Sequence, residues 1–309
     1  MPRTPITLTR RGALAAGVAL PLAGLAPTLA SAGGHAKAPM NAMQNTFALG
    51  DFQVATILAG SRVVEGPQNI FGMNVSAEEF ADASQANFIP ADKTKFFFTP
   101  TVVNTGSEVV LFDTGLNADG TLPALAEAGY APDDIDVVVI THMHGDHIGG
   151  LMNGDAPTYA NARYVTGQVE FDAWASRENE GFEKNVRPLA DKMTFIGDGG
   201  SVASGITGMA AFGHTPGHMV YMLESNGAQV LLMADTANHY VWSLAYPDWE
   251  VKFDMDKEAA AATRRSVLGM VAADRVPLIG YHMPFPGMGY VDTRGDGFHF
   301  VPASYQMAL

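Results

Sequence analysis

The stretch that most constrains this chain is Val137-Val138-Val139-Ile140 running straight into Thr141-His142-Met143-His144-Gly145-Asp146-His147. The four apolar residues read as a strand buried on both faces of a sheet. The loop after them carries three histidines and an aspartate within six positions. Imidazole and carboxylate are the groups that Zn²⁺ and similar ions bind, and a tight loop on a buried strand holds them rigidly. Residues along such a loop alternate in direction, so His142 and His144 can serve one ion while Asp146 and His147 serve a second. Further ligands are expected at other strand ends, where open-sheet sites gather. Three segments offer them: Gly213-His214-Thr215-Pro216-Gly217-His218, Met233-Ala234-Asp235-Thr236 and Gly280-Tyr281-His282.

The rest of the chain reads as a layered α/β protein. Strands are expected at residues 96–103, 108–112, 136–140, 193–196, 208–212, 218–223, 229–233 and 276–280. Helices are expected at 122–128, 167–177, 181–192 and 256–271. Residues 52–65 suggest a β-hairpin. Residues 66–95, rich in Gly, Asn, Ala and Pro, read as a long irregular arm. Interleaved strands and helices with some hairpin-spaced strands favour a sandwich over a purely parallel sheet. At 47% hydrophobic and 16% charged, the 309 residues can bury a large core.

Charge and cysteine content exclude several chemistries. The net charge of −14 makes a poor partner for polyanions, which argues against nucleic-acid binding. With no cysteine, there is no disulfide scaffold, no thiolate nucleophile and no Cys-ligated zinc.

Residues 1–32 read as an export signal. Arg10-Arg11 precedes an apolar run broken by Pro21 and Pro27, and Ala30-Ser31-Ala32 suits a cleavage site. The paired arginines are of the twin-arginine type, and the run is short for a membrane span. A flexible leader at 33–43 and one domain at 44–309 are expected to follow, in a periplasmic or secreted protein with no stable membrane anchor after processing.

The order H-x-H-x-D-H, then a His, an Asp and a His, resembles the metallo-β-lactamase superfamily. That resemblance implies an α/β fold of four layers, an αββα sandwich. It implies one metal on His142, His144 and His214, another on Asp146, His147 and His282, and Asp235 bridging both. Asp113, in Leu111-Phe112-Asp113-Thr114-Gly115, matches the aspartate that orients such a site from behind its ligands. An Asp at 235, rather than Cys, points away from true β-lactamases toward the other hydrolases.

Within the superfamily the chain resembles most closely the methyl parathion hydrolase family. The matching stretches include Asn104-Thr105-Gly106-Ser107, Ala128-Gly129-Tyr130, Thr141 to Met152, Gly213 to His218, the segment His282-Met283-Pro284-Phe285-Pro286-Gly287-Met288-Gly289, and Phe300 to Tyr305. This implies a homodimer of di-zinc subunits whose substrate pocket is lined by aromatics, with Trp174 and Phe182 at two of those positions. The segment Leu116 to Gly120 is shorter than in that family and lacks the third aromatic. The quorum-quenching lactonases of the fold place a tyrosine three residues after the bridging aspartate; here that residue is Asn238.

The chemistry implied is hydrolysis of a neutral ester, lactone or phosphotriester by a hydroxide shared between two divalent ions. Bound water near such ions ionises close to pH ~7. Asp146 is the candidate to handle the proton. Zn²⁺ is the default, and Mn²⁺, Co²⁺ or Fe²⁺ suit the same ligands. The alternatives are an acyl-homoserine lactonase, a glyoxalase-type thioesterase and a non-catalytic metal-dependent sensor. An aspartic protease built on Asp113-Thr114-Gly115 would need a second carboxylate sharing its proton. His218, His239 and His299 read as structural or surface residues, and Met283 and Met288 as packing.

Overall fold

The structure is a computed structural model that describes residues 42–304. The expected signal at 1–32, the leader up to residue 41 and Tyr305 lie outside the described residues. In chain order the strands are β1 (Gln44–Leu49), β2 (Phe52–Ile57), β3 (Gly60–Glu65), β4 (Lys93–Phe98), β5 (Thr101–Asn104), β6 (Val109–Phe112), β7 (Val137–Ile140), β8 (Met152–Asn153), β9 (Ala156–Pro157), β10 (Arg163–Gly167), β11 (Met193–Ile196), β12 (Ser201–Ala203), β13 (Ile206–Ala210), β14 (Met219–Ser225), β15 (Ala228–Ala234), β16 (Leu278–Gly280), β17 (Met288–Arg294) and β18 (Gly297–Pro302). The helices are α1 (Ala77–Ala86), α2 (Ala118–Glu127), α3 (Gly145–Ile148), α4 (Gln168–Ala175), α5 (Glu180–Asn185) and α6 (Lys257–Asp274).

Two seven-stranded sheets form the frame, in the orders β1-β2-β5-β6-β7-β10-β11 and β12-β13-β14-β15-β16-β17-β18. Strand β7 explains how they stack. Its Val137 and Val139 join a cluster with Val230, Leu232 and Ile279 of the second sheet, so this is the core between the sheets. Val138 and Ile140 turn the other way, into a cluster with Leu125 of α2, Trp174 of α4 and Phe182 of α5. Both faces of β7 are covered, which is why its sequence is apolar throughout. On the outer face of the second sheet, Val267, Leu268 and Val271 of α6 meet Val220, Leu231 and Leu278. The layers run helix, sheet, sheet, helix, as the αββα expectation had it.

Five local expectations need correction. Residues 52–65 are not a hairpin: β2 pairs with β1 and β5, while β3 leaves the sheet and pairs with β4. Alternation fixes the faces of a strand and says nothing of its partner. Strand 96–103 is two strands, because Thr99-Pro100 separates β4 from β5 and proline cannot donate to a ladder. Residues 66–95 are ordered, holding a 3₁₀ turn at Pro67–Asn69 and α1, which Ser76 caps by accepting from the Glu79 amide. Helix 181–192 is α5 followed by a 3₁₀ segment, Arg187–Lys192, with a proline at its start. Helix α2 also begins four residues before the expected 122, where Asn117 accepts from the Gly120 amide. The β17–β18 hairpin was not expected at all.

A fourth apolar cluster joins α1 and the β3–β4 ribbon to residues 241–251 through Phe71, Phe80, Phe96, Trp242 and Trp249. It fixes the ribbon beside the ends of β7, β15 and β16. No helix among the described residues is long and apolar enough to cross a membrane.

Candidate metal centre

The loop after β7 is held from behind before any ligand is considered. At the end of β6, Asp113 takes a left-handed conformation, with φ 59°. Its carboxylate accepts from the Thr141 amide at 2.9 Å and the Thr141 hydroxyl at 2.8 Å, and meets His147 Nδ1 at 2.8 Å. Just after the loop, Gly149 and Gly150 lie against the 114–116 turn. A Cβ on either would sit 2.1 Å from a carbonyl oxygen, of Leu116 or Thr114, so only glycine fits.

Seven side chains converge at this end of the sandwich. His142 Nε2, His144 Nδ1 and His214 Nε2 form a triangle with sides of 3.2, 3.0 and 3.2 Å. In a second group, Asp146 Oδ2 lies 3.7 Å from His147 Nε2 and 3.3 Å from His282 Nε2. Asp235, at the end of β15, stands between the groups. Its Oδ2 is 3.4 Å from His214 Nε2 and 3.2 Å from His282 Nε2, and its Oδ1 is 3.3 Å from His147 Nε2. Each group of three places its ligand atoms within 4.8 Å of one another.

Outer partners decide which ring nitrogen faces inward. His147 Nδ1 donates to Asp113, His214 Nδ1 to Asp254 Oδ1 at 2.8 Å, and His282 Nδ1 to the Phe97 carbonyl at 2.8 Å. Their Nε2 atoms therefore point at the other ligands and are the ones that a cation would take in place of a proton. His142 Nδ1 lies 3.1 Å from the Thr141 hydroxyl. The Asp254 carboxylate is completed by Arg264, itself 1% exposed, at 2.6 Å.

The donor set fits two divalent cations, on an observation of the site itself. His147 Nε2 and Asp235 Oδ1 are sealed from solvent and have no hydrogen-bond partner. Buried lone pairs without a proton or cation are costly, and three ring nitrogens at about 3 Å cannot all satisfy one another. The charges agree. Burial disfavours a charged His214, but hydrogen bonds to Asp235 and Asp254 outweigh it and push the ring up to about 9. Burial likewise opposes a charged His282, and Asp235 with Asp146 pushes it up to about 10. The carboxylates demand positive charge here, and cations supply it while displacing those protons. His144 behaves differently: burial, then the neighbouring His214, pushes it down to about 3.

Glu170 on α4 was not expected from the sequence. It is fully buried and accepts from the Met143 amide, the Trp174 indole, the Thr215 hydroxyl and the Gly217 amide, at 2.7–2.9 Å. Burial raises its pKa, and those four donors oppose the rise. It thereby ties the loop of His142 and His144 to the loop of His214. Asp254 was also missed; Asn238, noted in the sequence only for standing where the lactonases have a tyrosine, donates to Asp235 Oδ2 at 2.8 Å. His218 lies outside the ligand groups. Its Nε2 accepts from the Asp235 amide at 3.1 Å while Nδ1 donates to the Ala211 carbonyl.

A cavity of about 310 Å³ opens over both groups, walled by Phe96, Phe98, Leu116 and Phe253, with Arg62 beside them. The expected aromatic lining is corrected here. Phe182 has no exposure and packs in the helix-side core beneath the first sheet. Trp174 sets its ring edge-on to His144, with centroids 5.8 Å apart, but is 6% exposed and spends its N–H on Glu170. The aromatics that do face the cavity come from β4 and from the segment before α6. Asp113 spends both oxygens on Thr141 and His147, so it does not share a proton with Asp235 as a protease pair would.

This arrangement agrees with the comparisons. The family model of the metallo-beta-lactamase superfamily matches residues 99–282, more than half of the chain, and the chain belongs to that superfamily. Among characterised relatives it is similar to an N-acyl homoserine lactonase of Bacillus cereus (27% identical over 121 residues, 39% of this chain and 46% of that protein). It is also similar to one of Bacillus thuringiensis (30% over 120 residues, 38% of this chain and 45% of that protein). The chain thus spans about half the length of these relatives. Among solved structures it is similar to AidC, a dizinc quorum-quenching lactonase in complex with a product, at TM-score 0.79 and 23% identity, covering 86% of this chain and 99% of that one. The hydrolase AbOPH of the beta lactamase superfamily gives TM-score 0.78 and 20% identity, with coverage of 86% and 99%. At such identities the structures show the fold.

Proposed function

We propose that this protein is a di-metal hydrolase that opens a lactone or cleaves another neutral ester whose body is apolar. The observation that carries this reading is the pair of inward-facing ligand groups sharing Asp235 beneath an apolar cavity. His142, His144 and His214 would hold one ion and Asp146, His147 and His282 the other, with Asp235 between them. Bound there, two divalent ions, by default zinc, supply Lewis acidity and a water that ionises near neutral pH.

The chain's own residues do the rest. Phe96, Phe98 and Phe253 exclude water and orient the body of the substrate. Asp146 is the least buried of the carboxylates at the centre, 21% exposed on its side chain, and is the group placed to take and pass on the proton. The Tyr281 hydroxyl donates to the Asp146 carbonyl at 2.5 Å and fixes its position. Asn238 orients Asp235. The lactonase activity of the relatives supports a lactone substrate.

A phosphotriester, the substrate class of the methyl parathion hydrolase resemblance, is the second reading. It is favoured by Asn238 standing, tied to Asp235, where the lactonases place a tyrosine. We further propose export through the signal at 1–32 and assembly as a homodimer, tested by cell fractionation and by light scattering.

The deciding experiment is turnover of an acyl-homoserine lactone, an aromatic lactone, an aryl ester and an aryl phosphotriester by the zinc-loaded protein, with and without chelator. Chelator-sensitive turnover with the highest kcat/KM on a lactone or ester is expected. No turnover of any of the four, with two metals bound, overturns the hydrolase reading.

A further inference from the structure

The β3–β4 ribbon separates two cavities. Alternation along it turns Arg62, Phe96 and Phe98 toward the metal cavity and Val63, Lys95 and Phe97 toward another of about 400 Å³. The two cavities have one lining residue in common, His282. The second is large enough for a small organic molecule, and its walls are mainly apolar, with Ile89, Trp242 and Pro284 among them.

Three buried polar residues line this space, Thr94, His239 and His282, and of these His239 offers it a free donor. His239 is 8% exposed and stacks on Trp242, with centroids 4.1 Å apart. Its Nδ1 accepts from the Val241 amide at 3.1 Å and the Trp242 amide at 3.2 Å. Both are obligate donors, so the ring proton sits on Nε2. Burial keeps the ring neutral, pushing it down to about 3. No acceptor among the described residues takes the Nε2–H, yet the atom is not sealed in the core. The cavity therefore holds a fixed, unused hydrogen-bond donor.

The charge at the mouth is positive in a chain of net charge −14. Lys93 stands opposite Glu65 across the ribbon and is partly offset. Lys95 stands opposite Val63 with no carboxylate in ion-pair range among the described residues, and its ammonium lies 5.1 Å from the Phe97 ring centroid.

We propose that this second cavity binds an apolar organic anion, a carboxylate or sulfonate on an aliphatic or aromatic body. An anionic oxygen accepts from His239 Nε2–H, Lys95 supplies the positive charge, and the body lies against Ile89, Trp242 and Pro284. Acids of the kind that ester or lactone hydrolysis releases belong to this class. That link rests on the proposed hydrolase function; the site itself does not.

The test is fluorescence titration of the zinc-loaded full chain with 8-anilinonaphthalene-1-sulfonate, whose sulfonate is a weak ligand for divalent metals. One equivalent is expected to bind. Lys95→Glu removes the mouth charge from an exposed position and is expected to weaken binding by about tenfold or more. His239→Asn keeps an oxygen for the Val241 and Trp242 amides while removing the Nε2–H, and is expected to weaken binding to a similar extent. Lys95→Glu is expected to leave metal content and ester turnover unchanged. Unaltered affinity in both variants, or uptake of several equivalents, overturns the proposal. Because the titration reads no turnover, it stands or falls apart from the hydrolase reading.

Discussion

His142, His144, Asp146 and His147 reach the centre on one segment, the loop after β7 and the short helix α3, whereas His214, Asp235 and His282 reach it from separate strand ends of the second sheet. The supports differ in the same way. On the loop, one carboxylate serves several positions: Asp113 holds Thr141 and His147, and Glu170 holds Met143. At the strand ends each ligand side chain has its own partner, Asp254 for His214, Asn238 for Asp235 and the Phe97 carbonyl for His282, and only the loop of His214 also shares Glu170. A loop braced by two carboxylates loses the ligands nearest to the brace that fails. Ligands braced singly fail one at a time.

The exception on the strand-end side is Asp235, which touches both groups, and it gives the largest predicted effect. Asp235→Ala is expected to cost both metals and to lower turnover by about 10³-fold or more, since several kcal/mol of transition-state stabilisation go with them. Metal analysis beside kinetics checks this. Retention of one full equivalent of metal would show that the groups are less coupled than their geometry requires.

The next effect is local. Asp254→Ala leaves Arg264 buried without its partner. Breaking such a pair is expected to cost about 3–5 kcal/mol of stability, read by denaturant unfolding. Replacing both, as Asp254→Leu with Arg264→Met, is expected to recover most of the stability but not the hold on His214. If the double variant bound metal like the original chain, Asp254 would be a packing residue alone.

This contrast also explains what the sequence could tell. The loop ligands are dense enough to be legible by spacing, and β7 by its apolar run. The strand-end ligands are single residues, and only their place after apolar strands marks them. Glu170 and Asp254 carried no such mark, because each works through partners far along the chain: Glu170 reaches residues 215 and 217, and Asp254 reaches residue 214. The cavity wall was misplaced for a related reason. Phe182 and Phe96 are equally apolar in sequence, and only the departure of β3 from the first sheet to pair with β4 puts Phe96 over the metals. Helix α1 was missed because Phe80 is its one large apolar residue, and a cap at Ser76 and the contacts of Phe80 and Ala83 hold it in place.

A smaller effect separates the two braces. Glu170 supports the loops of His142, His144 and His214, which make up one group, whereas Asp113 touches His147 of the other. Glu170→Gln places an amide N–H among donors and is expected to weaken one metal by about 10–100-fold, leaving the second near its original affinity. Asp113→Asn is expected to do the reverse. Competition with a chelator, resolved into two dissociation steps, checks both. Equal weakening of both metals in either variant would mean that the braces act on the loop as a whole.

The last prediction concerns a histidine near the strand ends that lies outside both groups. In the fold His239 titrates at about 3, whereas an unfolded histidine titrates near 6.5. Between these values the unfolded chain takes up a proton that the folded chain refuses, so this residue lowers stability as pH falls. The slope is about 1.4 kcal/mol per pH unit. His239→Asn removes that contribution. In metal-free protein, where metal release cannot add its own pH dependence, the stability gap between original and variant is expected to narrow steadily from pH 6.5 toward pH 4. The measurement is urea unfolding at three pH values across that range. A constant gap would mean that His239 takes up its proton without unfolding, and that its surroundings, unlike those of His214 and His282, open to admit charge.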